Sequence, residues 1–397
     1  MIRQYALLSF FFSLFVLISF LYFGLINPPL LGDSHDYHMP IAENYIHGTL
    51  FSNKNLGGES SFPGSSELIL AFFILLHIPV NWFCVLGWVI LFLLLRKMGL
   101  EFGLGSEMSL IYATAFTSTL SVFRQMFTQS IDMWMAVWFV LLVLLLEKPK
   151  KTIRYFLYLG FAFGMLIGSK YTGLIFMLIL LAIYGLRIVK LLKWSAFFTF
   201  LIPFLLFGVF WYVRNFIVWG DPMYPFSFLS YHGIPMDINN YILWQEILRG
   251  HGLTILVALI SEYLIWGLSF IPFLVLFIMN LKKKFIDVKT SRVFWLCFLL
   301  FITSFFMYSF KSTKFDFVIS NMRYIFPVII MLMLSLFMMA KKFKLVPEIA
   351  LLAILNSIAA VSYIIYHPKV IIIYLIISSI IYIYGNKYIK RFVYKAS

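Results

Sequence analysis

The chain is a succession of long apolar runs separated by short polar breaks. The runs cover about 7–26, 82–95, 107–122, 132–146, 155–168, 172–189, 195–216, 253–280, 292–310, 324–340, 346–366 and 369–385. A helix needs ~20 apolar residues to cross a hydrocarbon core. The pattern therefore predicts an all-α, polytopic transmembrane protein of about 12 spans, with one integral membrane domain over 1–397. The run at 155–168 is short for a span. The first run is too long for a signal-peptide core, and no small-x-small cleavage site follows it, so it is expected to be an uncleaved anchor.

One apolar segment does not fit the series. Residues 67–78 (ELILAFFILLHI) are followed at once by Pro79. A run that short is expected to lie at the interface rather than to span. With that segment on the outer face, 22 of the 31 Lys and Arg residues fall in cytoplasmic loops, Lys282–Lys284 among them. Lys54, Arg124, Lys170, Arg214, Arg249, Lys311, Lys314, Arg323 and Lys369 are left outside. If 67–78 spanned, every later loop would invert. Basic residues concentrate on the cytoplasmic side, which selects twelve spans with both termini inside.

Composition agrees. Of 397 residues, 62% are hydrophobic and only 12% charged, where a soluble domain carries roughly 25% charged residues. That deficit excludes a cytosolic enzyme, a disordered chain and a disulfide-stapled secreted module. The net charge of +15 follows from the cytoplasmic loops and does not imply nucleic acid; the surrounding partner is membrane lipid. Cys84 and Cys297 lie inside apolar runs and have no metal-ligand spacing. No internal repeat is visible, which speaks against a secondary transporter.

By this topology eleven of the sixteen acids and all seven histidines are outside. Two outer loops are long enough to build a site: the first at 27–81, carrying the juxtamembrane segment, and the second at 217–252. The first holds Asp33, His35, Asp36, Tyr37 and His38 in close succession. A carboxylate at the mouth of a membrane cavity can take a proton from a hydroxyl nucleophile. Asp33, Asp36, His35 and His38 could instead hold a divalent cation. The plain alternative is a solvated loop whose Asp caps a helix starting near Pro40. No other cofactor is implied.

Arg124, Lys170, Arg214 and Arg323 sit at outer ends of apolar runs. Each could snorkel to the interface. Together they suit a phosphate-bearing ligand, since Arg pairs bidentately with phosphate and Lys supplies a point charge. Asp132 either caps the helix it begins or points into the same cavity. Glu43, Glu59 and Glu67 are expected at the surface, and Trp211, Tyr212 and Trp219 in an aromatic belt. No Walker loop, dinucleotide fingerprint, HExxH or GxSxG in context occurs.

Asp33-Ser-His-Asp-Tyr37-His38-Met-Pro40-Ile-Ala42 resembles the D-x-x-x-Y-H-x-P-x-A signature in the first outer loop of bacterial GT-C glycosyltransferases. These membrane enzymes use polyprenyl-phosphate sugars and are related to the protein O-mannosyltransferase and aminoarabinose transferase families. Gly48, Phe62-Pro63-Gly64-Ser-Ser-Glu67, Gly168-Ser169-Lys170-Tyr171, Tyr212-Val-Arg214-Asn215 through Gly220-Asp-Pro222-Met-Tyr224-Pro225-Phe226, and Arg323-Tyr324-x-x-Pro327 also match the family pattern, in order. The resemblance implies a GT-C-like fold in the cell envelope, at a bacterial inner membrane. It implies sugar transfer at the outer face from a polyprenyl phosphate to a hydroxyl of a glycan, lipid or protein. Asp33 matches the family's catalytic Asp. Asp132 or Asp36 is expected to help electrostatically, Arg124, Lys170, Arg214 and Arg323 to bind the donor phosphate, and Tyr37, His38 and Glu67 to position acceptor or loop. The rivals are a polysaccharide polymerase, a lipid-linked oligosaccharide flippase and, in another class, a solute transporter.

Overall fold

The computed structural model describes residues 2–28, 32–51, 61–191, 193–226, 241–283, 287–307, 309–310 and 314–366. The expected run 369–385, Lys54, Glu59, positions 227–240 of the second loop, Lys284, Lys311 and Lys369 lie outside the described residues.

Every apolar run within the described residues is helical. In chain order the helices are α1 (Ile2–Ile26), a π-helical turn (Ser34–His38), α2 (Met39–His47), α3 (Glu67–Leu75), α4 (Trp82–Glu101), α5 (Ser106–Thr117), α6 (Leu120–Phe123), α7 (Asp132–Glu147), α8 (Ile153–Ser169) and α9 (Thr172–Val189). α10 (Trp194–Phe204) and α11 (Phe210–Trp219) flank a second π turn. After α12 (Leu243–Glu246) come a π turn (Ile247–His251), α13 (Gly252–Tyr263), α14 (Phe270–Lys283), α15 (Val288–Met307), α16 (Phe315–Asn321), α17 (Phe326–Lys342) and α18 (Val346–Tyr366). The described strand structure is one antiparallel pairing of Tyr241 with Phe310 and Ile242 with Ser309. Among the described residues, seven helical segments are long and apolar enough to cross a membrane, which makes this a multi-pass membrane protein. α3 is not one of them. Its nine residues extend about 14 Å at 1.5 Å per residue, about half of a ~30 Å hydrocarbon core.

Three expected boundaries differ, the first being the run 107–122, which divides into α5 and α6. The run 253–280 is two helices, with a 3-10 turn at Leu264–Leu268 between them. Leu264 has a φ of 53°, and Gly267 comes so close to the Leu259 carbonyl that no side chain would fit. The second long loop, expected over 217–252, is shorter than that, because α11 continues to Trp219 and helix resumes at Leu243.

The chain divides into two compact units. One comprises Met1–Ile18, Phe92–Arg124 and Asn240–Ser397. Its buried centre is α17, an apolar helix covered on all sides, as such helices must be away from lipid. Tyr112 of α5 donates to the Ile330 carbonyl of α17 at 3.0 Å, and Ser118 meets Ser357 of α18 at 2.5 Å.

The other unit comprises Ser19–Leu91 and Gln125–Asn239. α7 is its centre, buried from Asp132 through Val140. α8 packs against it, and meets α10 and the π turn Leu205–Val209 through Gly160, Gly164 and Gly168, four residues apart on one helix face. A Cβ on Gly160 would strike the Phe200 carbonyl, and one on Gly164 would lie 2.8 Å from the Pro203 carbonyl oxygen. Small residues at this spacing let backbones approach closely in membranes.

Candidate functional site: a polar centre in the loop after α1

Gly32, at φ 88°, turns the chain so that the amides of His35 and Asp36 donate to its carbonyl at 2.8 and 3.0 Å. The π turn Ser34–His38 follows. It sorts its side chains by exposure. Ser34, Tyr37 and His38 are buried, Asp33 is half-buried, and His35 and Asp36 are exposed. Asp33 stands at the N-terminus of the turn but makes no side-chain cap bond there.

Ser34 joins this turn to the start of α7. The Gln129 amide donates to Ser34 Oγ at 3.0 Å, and the Gln129 side chain donates to Asn81 Oδ1 at 3.1 Å. Asn81 in turn donates to the Asn27 carbonyl at 2.8 Å. Just beyond Gln129, Asp132 opens α7. Its Oδ2 accepts from Ser130 at 2.7 Å, and its Oδ1 lies 2.8 Å from Lys170 Nζ. Asp132 is 5% exposed and Lys170 19%. Asp33, Asp132 and Lys170 thus belong to one unit and are linked through Ser34 and Gln129.

His38 turns the other way. Its Nδ1 meets Glu67 Oε1 at 2.8 Å. Glu67 was expected at the surface and is instead fully buried, because the two serines before it pin the start of α3. The Ser65 amide donates to the Gly168 carbonyl at 2.7 Å, and Ser65 Oγ accepts from Trp211 Nε1 at 2.8 Å. Ser66 Oγ accepts from Trp138 at 3.0 Å and meets Ser169 Oγ at 2.5 Å. Trp211, expected in an interfacial belt, is accordingly 1% exposed and packs with Tyr37 and Ile41. Beside it, burial and then the Glu67 carboxylate push the Tyr45 phenol well above its usual value, so Tyr45 stays a neutral hydroxyl.

The four expected phosphate cations separate. Lys170 is at the centre just described. Arg214, also in this unit, is 2% exposed; its Nε donates to the Leu50 carbonyl at 2.8 Å and its Nη1 to Asn215 Oδ1 at 2.7 Å. Arg124 and Arg323 belong to the other unit. There Arg124 Nε lies 2.9 Å from Oε1 of Glu262, a carboxylate 1% exposed, and Arg323 stacks over Tyr324 at 5.3 Å.

The divalent-cation set suggested by Asp33, Asp36, His35 and His38 is not assembled. Among the described residues no three His, Cys, Asp or Glu side chains gather as a metal-binding group. The π turn leaves His35 and Asp36 exposed and commits His38 to Glu67. Asn81, Gln129 and Glu262 join the polar contacts without a motif to announce them: Asn81 and Glu262 are polar residues among apolar ones, and Gln129 lies in the polar break before α7. Comparison with family models, curated proteins and solved structures returned no match.

Proposed function

We propose that this chain is a GT-C-like membrane glycosyltransferase of about twelve spans with both termini cytoplasmic. It moves a sugar from a polyprenyl-phosphate donor to an acceptor hydroxyl at the outer face. The observation that carries the reading is the Ser34–Gln129 hydrogen bond. It ties the residue after Asp33 to the segment that leads into the Asp132–Lys170 pair, so an acid and a cation share one polar centre beside a short juxtamembrane helix.

In this mechanism the half-buried Asp33 accepts the proton of the acceptor hydroxyl. The acceptor oxygen forms its bond to the anomeric carbon as the bond from that carbon to the phosphate oxygen breaks. The leaving polyprenyl phosphate gains negative charge, and a fixed cation stabilises it in the transition state. Lys170 supplies that cation. Asp132 holds the ammonium in place, while exposed Asp36 contributes only through its field. The acceptor is a glycan, a lipid or a protein.

A second reading, a solute transporter, draws on Arg124 and Glu262 of the other unit. Their ion pair stands next to the helix break at Leu264–Leu268, and discontinuous helices with ionisable residues mark transporter sites. Purified protein in lipid nanodiscs, given polyprenyl-phosphate hexose labelled in the sugar, separates the two. Loss of lipid-linked label into acceptor or water supports transfer. Uptake of labelled sugar into sealed vesicles without cleavage of the lipid-linked donor would support transport instead.

A further inference from the structure

Arg214 and Asn215 are neighbours at the end of α11, and both are buried. Each reaches a different point on the first outer loop. Arg214 Nε donates to the Leu50 carbonyl at 2.8 Å, and Asn215 Nδ2 donates to the Ser61 carbonyl at 2.9 Å. Arg214 also braces Asn215, donating from Nη1 to its Oδ1 at 2.7 Å, which fixes the amide so that its NH2 faces the loop. That same NH2 lies 2.8 Å from the Tyr171 hydroxyl and 3.3 Å from the Tyr224 carbonyl. The Tyr171 hydroxyl closes the ring by donating to Tyr224 O at 2.5 Å. Burial holds the Tyr171 phenol well above its usual value, against the hydrogen bond from Asn215 that lowers it.

We infer that Arg214 and Asn215 are a positioning clamp: they fasten the first outer loop at Leu50 and Ser61, and the turn after α11 at Tyr224, to one point on α11. Arg214 is then a positioning residue and not a ligand of the donor phosphate. Its charge is matched by carbonyl dipoles and by the Trp211 ring, 5.7 Å from its Cζ. The planar fork of Arg serves this purpose because its donors leave in fixed directions; Lys carries the charge without the fork. The amide of Asn215 is required for the same reason: its two N–H donors serve the Ser61 carbonyl and the Tyr171 hydroxyl, which in turn donates to the Tyr224 carbonyl.

The inference leans on the proposed transfer only in its activity arm. Two further arms need no turnover: hydrogen exchange of the amides at 44–51 and 61–66, and titration with undecaprenyl phosphate in nanodiscs. The variants are Arg214→Lys, Asn215→Asp and, as the mildest, Tyr171→Phe. For a clamp, exchange at both loop segments rises about tenfold in Arg214→Lys and Asn215→Asp, and by less in Tyr171→Phe. Affinity for undecaprenyl phosphate then changes less than twofold. Transfer loses kcat with KM for the donor lipid unchanged. If Arg214→Lys weakens undecaprenyl phosphate binding tenfold with exchange unchanged, Arg214 is a phosphate ligand and the clamp is wrong. If exchange is unchanged in all three variants, the clamp is likewise wrong. No turnover in wild-type protein, with exchange rising as expected, would defeat the proposed function and leave the clamp standing.

Discussion

His38 Nδ1 lies 2.8 Å from Glu67 Oε1, with both side chains 1% exposed. The far atoms of the pair, His38 Nε2 and Glu67 Oε2, have no hydrogen-bond partner among the described residues. The Nδ1–Oε1 contact is thus the hydrogen bond by which these two side chains join the π turn to α3. Asn can present an N–H near the Nδ1 position, and Gln can accept where Glu does. We predict that His38→Asn and Glu67→Gln keep the thermal midpoint within a few degrees in detergent. Glu67→Ala leaves a buried donor unmatched, which costs about 1–3 kcal/mol, and lowers the midpoint clearly. Equal midpoints for Glu67→Ala and wild type would show that the contact does not hold the turn.

Lys170 and Asp132 separate stability from ligand binding. Removing one partner of a buried pair strands the other. Lys170→Gln alone should destabilise the protein, and the double variant Lys170→Gln with Asp132→Asn should recover most of that loss. Binding should not recover, because the phosphate contact is worth about 1.5–3 kcal/mol for a hydrogen bond to a charged group. Thermal melts together with titration by undecaprenyl phosphate read both quantities. Full affinity in the double variant would remove Lys170 from the phosphate.

The glycines of α8 and α9 give a contrast on adjacent helices. A Cβ on Gly168 would collide with the Phe207 carbonyl and with Ser65 Oγ. Gly168→Ala should cost about 1–3 kcal/mol by overpacking and displace the start of α3. Gly185 has only the Leu181 Cβ near, at 4.0 Å. Gly185→Ala should be neutral or stabilising, because Gly costs about 1 kcal/mol in a helix interior. Thermal midpoints of the two variants check the pair.

The positive-inside orientation has a direct test. Cys84 and Cys297 are both buried, which gives a low labelling background. A cysteine in place of Lys150, in the break between α7 and α8, should stay unlabelled by an impermeant maleimide in intact cells and react after permeabilisation. Labelling from outside intact cells would invert the orientation and move the polar centre to the cytoplasmic face.

The helices were legible because an unbroken apolar run longer than a strand needs leaves the backbone one way to satisfy itself in lipid. The brevity of α3 was legible from Pro79 and from the short run before it. The pairings were not. His38 with Glu67 and Arg124 with Glu262 join residues far apart in the chain, and a charged residue beside an apolar run looks alike whether it faces solvent or a buried partner. The break at Leu264–Leu268, where Gly267 folds back close to the Leu259 carbonyl, lies inside a run whose apolar pattern continues across it. In the first loop the cluster 33–38 was visible as composition. Its division into exposed His35 and Asp36 and buried His38 depends on the π turn, whose wider spacing no helical or strand period anticipates.

In the proposed transfer Asp33 takes the acceptor's proton. Asp33→Asn keeps the shape of the side chain and removes its basicity, and Asp36→Asn makes the same change on an exposed neighbour. Transfer from sugar-labelled polyprenyl-phosphate hexose by both purified variants, with undecaprenyl phosphate affinity measured alongside, is the most direct measurement. The account predicts that Asp33→Asn loses about 10²–10⁴-fold in rate at unchanged affinity, while Asp36→Asn stays near wild type. Transfer by Asp33→Asn at the wild-type rate would contradict it.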